Sequence, residues 1–417
     1  MSKSVAENTI KNIRNIINDE EFINSAKNKE NAFSRKRKLS FCDIITFMIT
    51  SGGKCLQKEL ENFAKRTNKE QVSRQAFSKA RENIKPEAIK DLSERISSGI
   101  EKDARLKTYK GYRLLAVDGT ILDLPSNEKL MNHFGYSSNS SDKKQVKALG
   151  MVVYDVLNDM ALCGELYPYT DSEKKRIIEF SDVISQRETT KNPLFILDRG
   201  YPSFEAYCKF IDNNQHFLIR ISKNSLSEIN NANEKDQEIE VHRKNRTLKL
   251  RVVNVKLETG ETEKLVTNLS SDFDVEEISN LYSKRWRIET SYQYIKYSAL
   301  LECFTGESIT AIYQDFYISL LVLNIASTMY MEQIKVLDKN QDFKKYRYAP
   351  SFTNLIYIIK SEYAKYLLCD SLPKNPLRKY RNYKYIMQFA YAIVPNRKCR
   401  RNFNSQNHSK SHPKQKL

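Results

Sequence analysis

Three acidic residues lie far apart in the chain, at positions suited to hold divalent metal: Asp118, Asp198 and Glu289. Asp118 and Asp198 each close an apolar run, YRLLAV and PLFIL. Carboxyl ends of strands are where open α/β sheets place their chemistry. An Asp after a strand is also a common turn former, so neither residue carries the case alone. Glu289 has more informative neighbours. Tyr282, Arg285, Glu289 and Lys296 follow at intervals of three, four and seven residues. On a continuous helix turning about 100° per residue they fall within roughly 60° of one face. Leu281, Ile288 and Ile295 recur every seven residues on an adjacent face that would pack against a sheet. Taken alone, Arg285 and Glu289 read as an i,i+4 surface ion pair. Three acids in this order on these elements read as a site.

The chemistry such a site suits is phosphodiester cleavage. Two divalent ions about 4 Å apart stabilise the attacking and leaving oxygens together and lower the pKa of an attacking water. Hard ions such as Mg²⁺ take carboxylate oxygens and keep waters. The expected cofactor is therefore two Mg²⁺ ions, with Mn²⁺ able to substitute, and no histidine is needed. The five histidines (His133, His216, His242, His408, His412) form no ligand cluster, which argues against a His-metal nuclease. The seven cysteines are scattered, with no CxxC pair; this argues against structural zinc and a disulfide framework.

Charge points to the partner. Lys and Arg total 69 against 51 Asp and Glu, a formal net charge of +18. An excess of this size suits a polyanion, because each cation set against a phosphate releases condensed counterions; the bland alternative is charge kept for solubility. The segment 371–417 contains no Asp or Glu, and its cations run from Lys374 and Arg378 to Lys414 and Lys416. That basic tail suits either a grip on DNA or a disordered arm. A second cluster, RKRK, spans 35–38. The N-terminus lacks an apolar stretch of the signal-peptide kind. The most apolar run, 316–331, is short for a membrane span and carries Asn324, Ser327 and Thr328; it reads as a buried helix. No membrane partner and a cytoplasmic, nucleoid-associated location are expected.

The elements that must position these residues follow a consistent order. Residues 1–105 read as helices: Ser40 caps FCDIITFMIT, Ser73 caps QAFSKARENI, and Pro86 opens another helix. The pair around Thr67–Gln71, with Arg74, Lys79 and Arg81 on its second member, fits a DNA-binding helix-turn-helix or an ordinary bundle equally. Strands follow: 112–117 ending at an Asp118–Gly119 turn, a hairpin of 146–156 with 160–167, then a helix over 172–186. Next come the strand PLFIL, a helix over 203–213 and a strand over 216–221. Residues 223–272 alternate with period two and read as a β-rich insertion; a long helix, 275–299, is capped by Asp274. Three antiparallel strands, then helix, strand, helix, strand, helix, is the ribonuclease H-like order. The expected fold class is α+β: a ribonuclease H-like catalytic domain over 106–335 with its β insertion, flanked by a helical DNA-binding region, 1–105, and a helical C-terminal region with a basic tail, 336–417.

In the segment YSKRWRIETSYQYIK, Tyr282, Arg285, Glu289 and Lys296 complete a Tyr-(2)-Arg-(3)-Glu-(6)-Lys pattern. With VDGT around Asp118, LDRGY around Asp198, the β-rich insertion and SRQAFSKARENIKPEA, the chain resembles the DDE transposases of bacterial insertion sequences over about residues 30–330. The resemblance implies that Asp118, Asp198 and Glu289 bind two Mg²⁺, and that Tyr282, Arg285 and Lys296 touch phosphates at the transposon end. It further implies terminal inverted repeats and a target duplex as double-stranded DNA partners, and a homodimer pairing two ends. Trp286, the only tryptophan, suits stacking on a displaced base or a place in the core; Arg199 suits a phosphate contact or local charge balance. Two rivals remain at this point: a nuclease of the same fold without strand transfer, and a catalytically inactive DNA-binding descendant. A tyrosine recombinase has nucleophiles enough among 24 Tyr but no Arg and His cluster to activate one.

Overall fold

The computed structural model describes residues 4–35, 37–53, 55–138, 144–222, 225–243, 245–256, 260–285, 304–340 and 345–394. In chain order it begins with α1 (Val5–Asn18), α2 (Glu20–Ala26), α3 (Phe41–Thr50), α4 (Leu56–Thr67), α5 (Arg74–Arg81) and α6 (Pro86–Asp103). Then come β1 (Arg113–Asp123), α7 (Glu128–Phe134), β2 (Tyr136–Ser138), β3 (Lys144–Asp155), β4 (Met160–Pro168) and α8 (Glu173–Ser185). β5 (Pro193–Leu197), α9 (Phe204–Asp212), β6 (His216–Arg220), α10 (Ser227–Asn230), β7 (Asp236–Arg243), β8 (Arg246–Lys256), β9 (Thr262–Thr267) and α11 (Val275–Ser283) follow. Last are α12 (Ile309–Asp338), β10 (Arg347–Ala349), α13 (Phe352–Leu367), α14 (Tyr383–Phe389) and β11 (Tyr391–Ile393). Two compact units emerge: Met1–Ile96 with Tyr297–Leu417, and Ser97–Lys296. This division groups the two ends of the chain together, where the sequence reading drew boundaries near 105 and 335.

The second unit is built on one sheet in the order β2-β3-β1-β5-β6-β9-β8-β7, with β4 also paired to β3. β1, β3 and β4 are antiparallel, whereas β1–β5 and β5–β6 are parallel. The core order β4-β3-β1-β5-β6 is the ribonuclease H-like arrangement, as the strand sequence indicates. The insertion strands β7–β9 do not stand apart: β9 pairs with β6, so they extend the same sheet. Alternation along the strands sends Leu115, Val117, Phe195, Leu197, Phe217 and Ile219 to one face. There they pack with Ile177 and Phe180 of α8 and with Tyr207 and Phe210 of α9.

In the first unit, side chains at Ser4, Asp19, Ser40 and Ser73 accept amides at the starts of α1, α2, α3 and α5. Such caps satisfy donors that a helix start otherwise leaves unpaired. The apolar stretch read over 316–331 is part of the longer α12. By length and composition α12 could cross a membrane, yet 78% of its most apolar window is buried inside the protein. α3 and α12 both pack on α13. Arg81, on the second helix of the pair that fits a helix-turn-helix or an ordinary bundle equally, is 2% exposed. It donates to Gln314 at 2.8 Å, Thr305 at 2.6 Å and Asp315 at 2.8 Å. A buried guanidinium needs such partners, so Arg81 is committed to the fold; Arg74 and Lys79 are exposed. The segment YKYIMQFAYAIV divides into α14 and β11, which pairs with β10, so it is not helical throughout.

Candidate active site

β1 does not stop at Asp118. It runs through Gly119 to Asp123 because β3 pairs with it past that point, from Asp118↔Val152 to Asp123↔Lys147. The expected Asp118–Gly119 turn is absent. What ends near Asp118 is the parallel neighbour: the β1–β5 ladder closes at Ala116↔Ile196. Extending that register by two residues sets Asp118 opposite Asp198, just beyond the last residue of β5. Adjacent strands lie about 4.8 Å apart, and in-register residues of parallel strands share a face. Val117 and Leu197 face α8 and α9, so the two aspartates lie on the opposite face. Their local geometry also matches: each carboxylate accepts the next residue's amide, Gly119 at 3.1 Å and Arg199 at 2.7 Å.

Continuing across the sheet, the β5–β6 register pairs Leu197 with Ile219, which sets Arg220 opposite Asp198. Arg220 in turn holds Glu263 of β9 at 3.0 Å. Burial pushes the Glu263 carboxyl above its ordinary range, and Asp198 adds to the rise against the pull of Arg220 and Arg285. Sequence reasoning missed both residues. The signal for Arg220 was present, because it closes β6 as Asp198 follows β5; Glu263 offered only strand alternation.

α11 begins with a capping box on Asp274, as read, but it ends at Ser283. Lys284 and Arg285 donate backward by three residues, to Leu281 at 3.1 Å and Tyr282 at 2.9 Å. These tight-turn bonds replace helical ones, so the expectation of one helix from 275 to 299 fails at this turn. Tyr282 and Arg285 nevertheless converge on Asp198. The Tyr282 hydroxyl donates to its carboxylate at 3.3 Å, and the Arg285 guanidinium lies 3.8 Å from the other oxygen. Arg285 is 5% exposed, and burial pushes the Tyr282 hydroxyl well above its ordinary pKa. Trp286, Glu289 and Lys296 lie outside the described residues.

Among the described residues no group of three metal-ligating side chains occurs. Two of the three expected ligands are nonetheless in register, and their hard oxygen donors fit Mg²⁺. Arg199 is exposed and opens onto a cleft of about 1560 Å³ whose walls include Arg220, Lys235, Asn254, Lys256 and Lys264. Lys264 is tied down, donating to the carbonyls of Ile229 and Asn230 at 3.0 and 2.8 Å.

Asp118, midway along β1, and Asp198, just after β5, thus share one face of a ribonuclease H-like sheet. The family described as "Transposase DDE domain" matches residues 109–325, just over half of the chain, and the chain belongs to that family. A probable transposase for insertion sequence element IS5377 from Geobacillus stearothermophilus is 22% identical over 172 residues, 38% of this chain and 45% of that protein. The chain thus spans less than half the length of that relative. Among solved structures, a piggyBac transposase synaptic complex with hairpin DNA aligns over 90% of this chain and 85% of that one, at 10% identity and a TM-score of 0.48.

Proposed function

We propose that this chain is a transposase that cleaves DNA at the ends of an insertion sequence and joins them to a target duplex. The observation that carries this is the register that sets Asp118 of β1 opposite Asp198, where the β1–β5 ladder has closed, within a chain of the DDE transposase family. Asp118, Asp198 and Glu289 would hold two Mg²⁺ or Mn²⁺ ions. Bound there, the metal would supply charge stabilisation for the in-line displacement and an acidified water. Arg285 and Tyr282 orient Asp198 in the DNA-free chain, and Arg285 brings positive charge to the place where phosphate oxygens would come. Lys296 and Trp286 are assigned to the same DNA end, and Arg199, beside Asp198, to the strand entering the basic cleft. Two copies pairing two ends, in the cytoplasm on the nucleoid, complete the proposal.

The test uses supercoiled DNA carrying the element's ends, a separate target plasmid, and Mg²⁺ or Mn²⁺. Cleaved ends and joined products are expected. Asp118→Asn, Asp198→Asn and Glu289→Gln should each lower cleavage by about 1000-fold or more while sparing DNA binding. Cleavage without joining would leave a nuclease of the same fold. Binding without cleavage would leave an inactive DNA-binding descendant.

A further inference from the structure

We propose that Glu173 is a positioning residue that locks the two aspartate-bearing segments together from beneath the sheet. The inference rests on reading Asp118 and Asp198 as metal ligands. Glu173 is the first residue of α8, the helix packed on the face opposite the aspartates. Its carboxylate accepts the Tyr201 hydroxyl at 2.8 Å, and Tyr201 comes three residues after Asp198. The same carboxyl lies against Gly119, the residue after Asp118. A β-carbon at 119 would fall 2.5 Å from the Glu173 Cδ and 3.0 Å from its Cγ. Gly119 lies inside β1 and is absent from the positive-φ glycines. A methyl group there would therefore push the Glu173 carboxyl, the far end of a half-buried side chain, out of its place.

This brace acts where the sheet does not. The β1–β5 ladder ends at Ala116 and Ile196, two residues short of the aspartates, so strand pairing alone does not fix their separation. Glu173 touches the segment after each aspartate and supplies the missing cross-link. Tyr201 is 1% exposed, and a hydroxyl so buried needs its acceptor. Because neighbouring strand residues point to opposite faces, Glu173 acts through the aspartates and not on DNA. The Gly of VDGT and the Tyr of LDRGY thereby acquire one shared physical cause.

The test measures Mn²⁺ affinity by electron paramagnetic resonance, together with the Mn²⁺ concentration giving half-maximal cleavage. Glu173→Ala and Tyr201→Phe should each weaken both by about tenfold, the scale at which groups supporting a metal ligand act. Glu173→Gln keeps the length and an oxygen acceptor, and should stay near the parent. Gly119→Ala should displace Glu173 and weaken Mn²⁺ binding to about the level of Glu173→Ala, and combining the two should weaken it no further. Tyr201→Phe removes a single oxygen, so it decides the matter should Glu173→Ala fail to fold. Folded Tyr201→Phe with Mn²⁺ affinity within about twofold of the parent would overturn the proposal. Asp118→Asn runs alongside: if it keeps the parent's Mn²⁺ binding, the metal-centre reading itself fails. If it loses binding while Tyr201→Phe does not, only the role of Glu173 falls.

Discussion

At the scale of residues, Asp198 is held from three sides. Its oxygens meet the Arg199 amide, the Tyr282 hydroxyl and the Arg285 guanidinium. Asp118 meets the Gly119 amide. In the proposed reading, a buried arginine held near a carboxylate would neutralise the acid in the free chain and meet phosphate on DNA binding. Arg285→Ala should therefore weaken binding to transposon-end DNA and lower the slope of log affinity against log salt by about one unit. Filter binding or fluorescence anisotropy across a salt series measures this, and an unchanged slope would remove Arg285 from the phosphate contacts.

At the scale of elements, most of the sheet was legible and the reasons are local. PLFIL is too apolar and too short for anything but a buried strand, and Asp198 after it marks the strand's end. The hairpin turn at 157–159 falls where Asp159 adopts a left-handed backbone, φ 54°. Asp118–Gly119 misled because turn chemistry and strand continuation share residue types; only pairing with β3 decides, and pairing is not local. The end of α11 was invisible for a like reason. Nothing in YSKRWRIET breaks a helix, yet Arg285 turns inward to a carboxylate from another strand. The two readings of Arg81 stayed level for the same cause, since its partners come from more than 220 residues away along the chain.

One buried cluster shows how α6 and the sheet are tied within the second unit. Glu101 faces Arg187 at 2.5 Å and Arg113 at 3.3 Å, and Thr190 donates to it at 2.8 Å. Burial pushes the Glu101 carboxyl up, but Arg187, Thr189 and Arg113 together hold it below its ordinary pKa. A lowered folded-state pKa adds stability that is present above the unfolded value, about 4.3, and is lost as pH falls through the folded one. Glu101→Ala leaves two buried guanidinium groups short of a partner and should cost about 3 to 5 kcal/mol at neutral pH. Urea unfolding at pH 7 and pH 3 checks the sign: the gap to the parent should narrow in acid.

At the scale of the whole molecule, the excess of +18 bears on partners and solubility more than on fold. Removing residues 395–417 deletes Arg397, Lys398, Arg400, Arg401, Lys410, Lys414 and Lys416 and no acid. If that tail grips DNA, the truncated chain should bind more weakly and lose at least about one unit of salt slope. An unchanged slope would make the tail a bystander.

All of this depends on Asp118 and Asp198 sharing metal. Cysteine at either position tests it directly, because a thiolate is a poor ligand for Mg²⁺ and a better one for softer ions. Asp118→Cys and Asp198→Cys should each cleave transposon-end DNA about 100-fold more slowly than the parent in Mg²⁺ and recover part of that loss in Mn²⁺. Cleavage in Mg²⁺ at the parent rate by either variant would contradict a metal centre at these two aspartates.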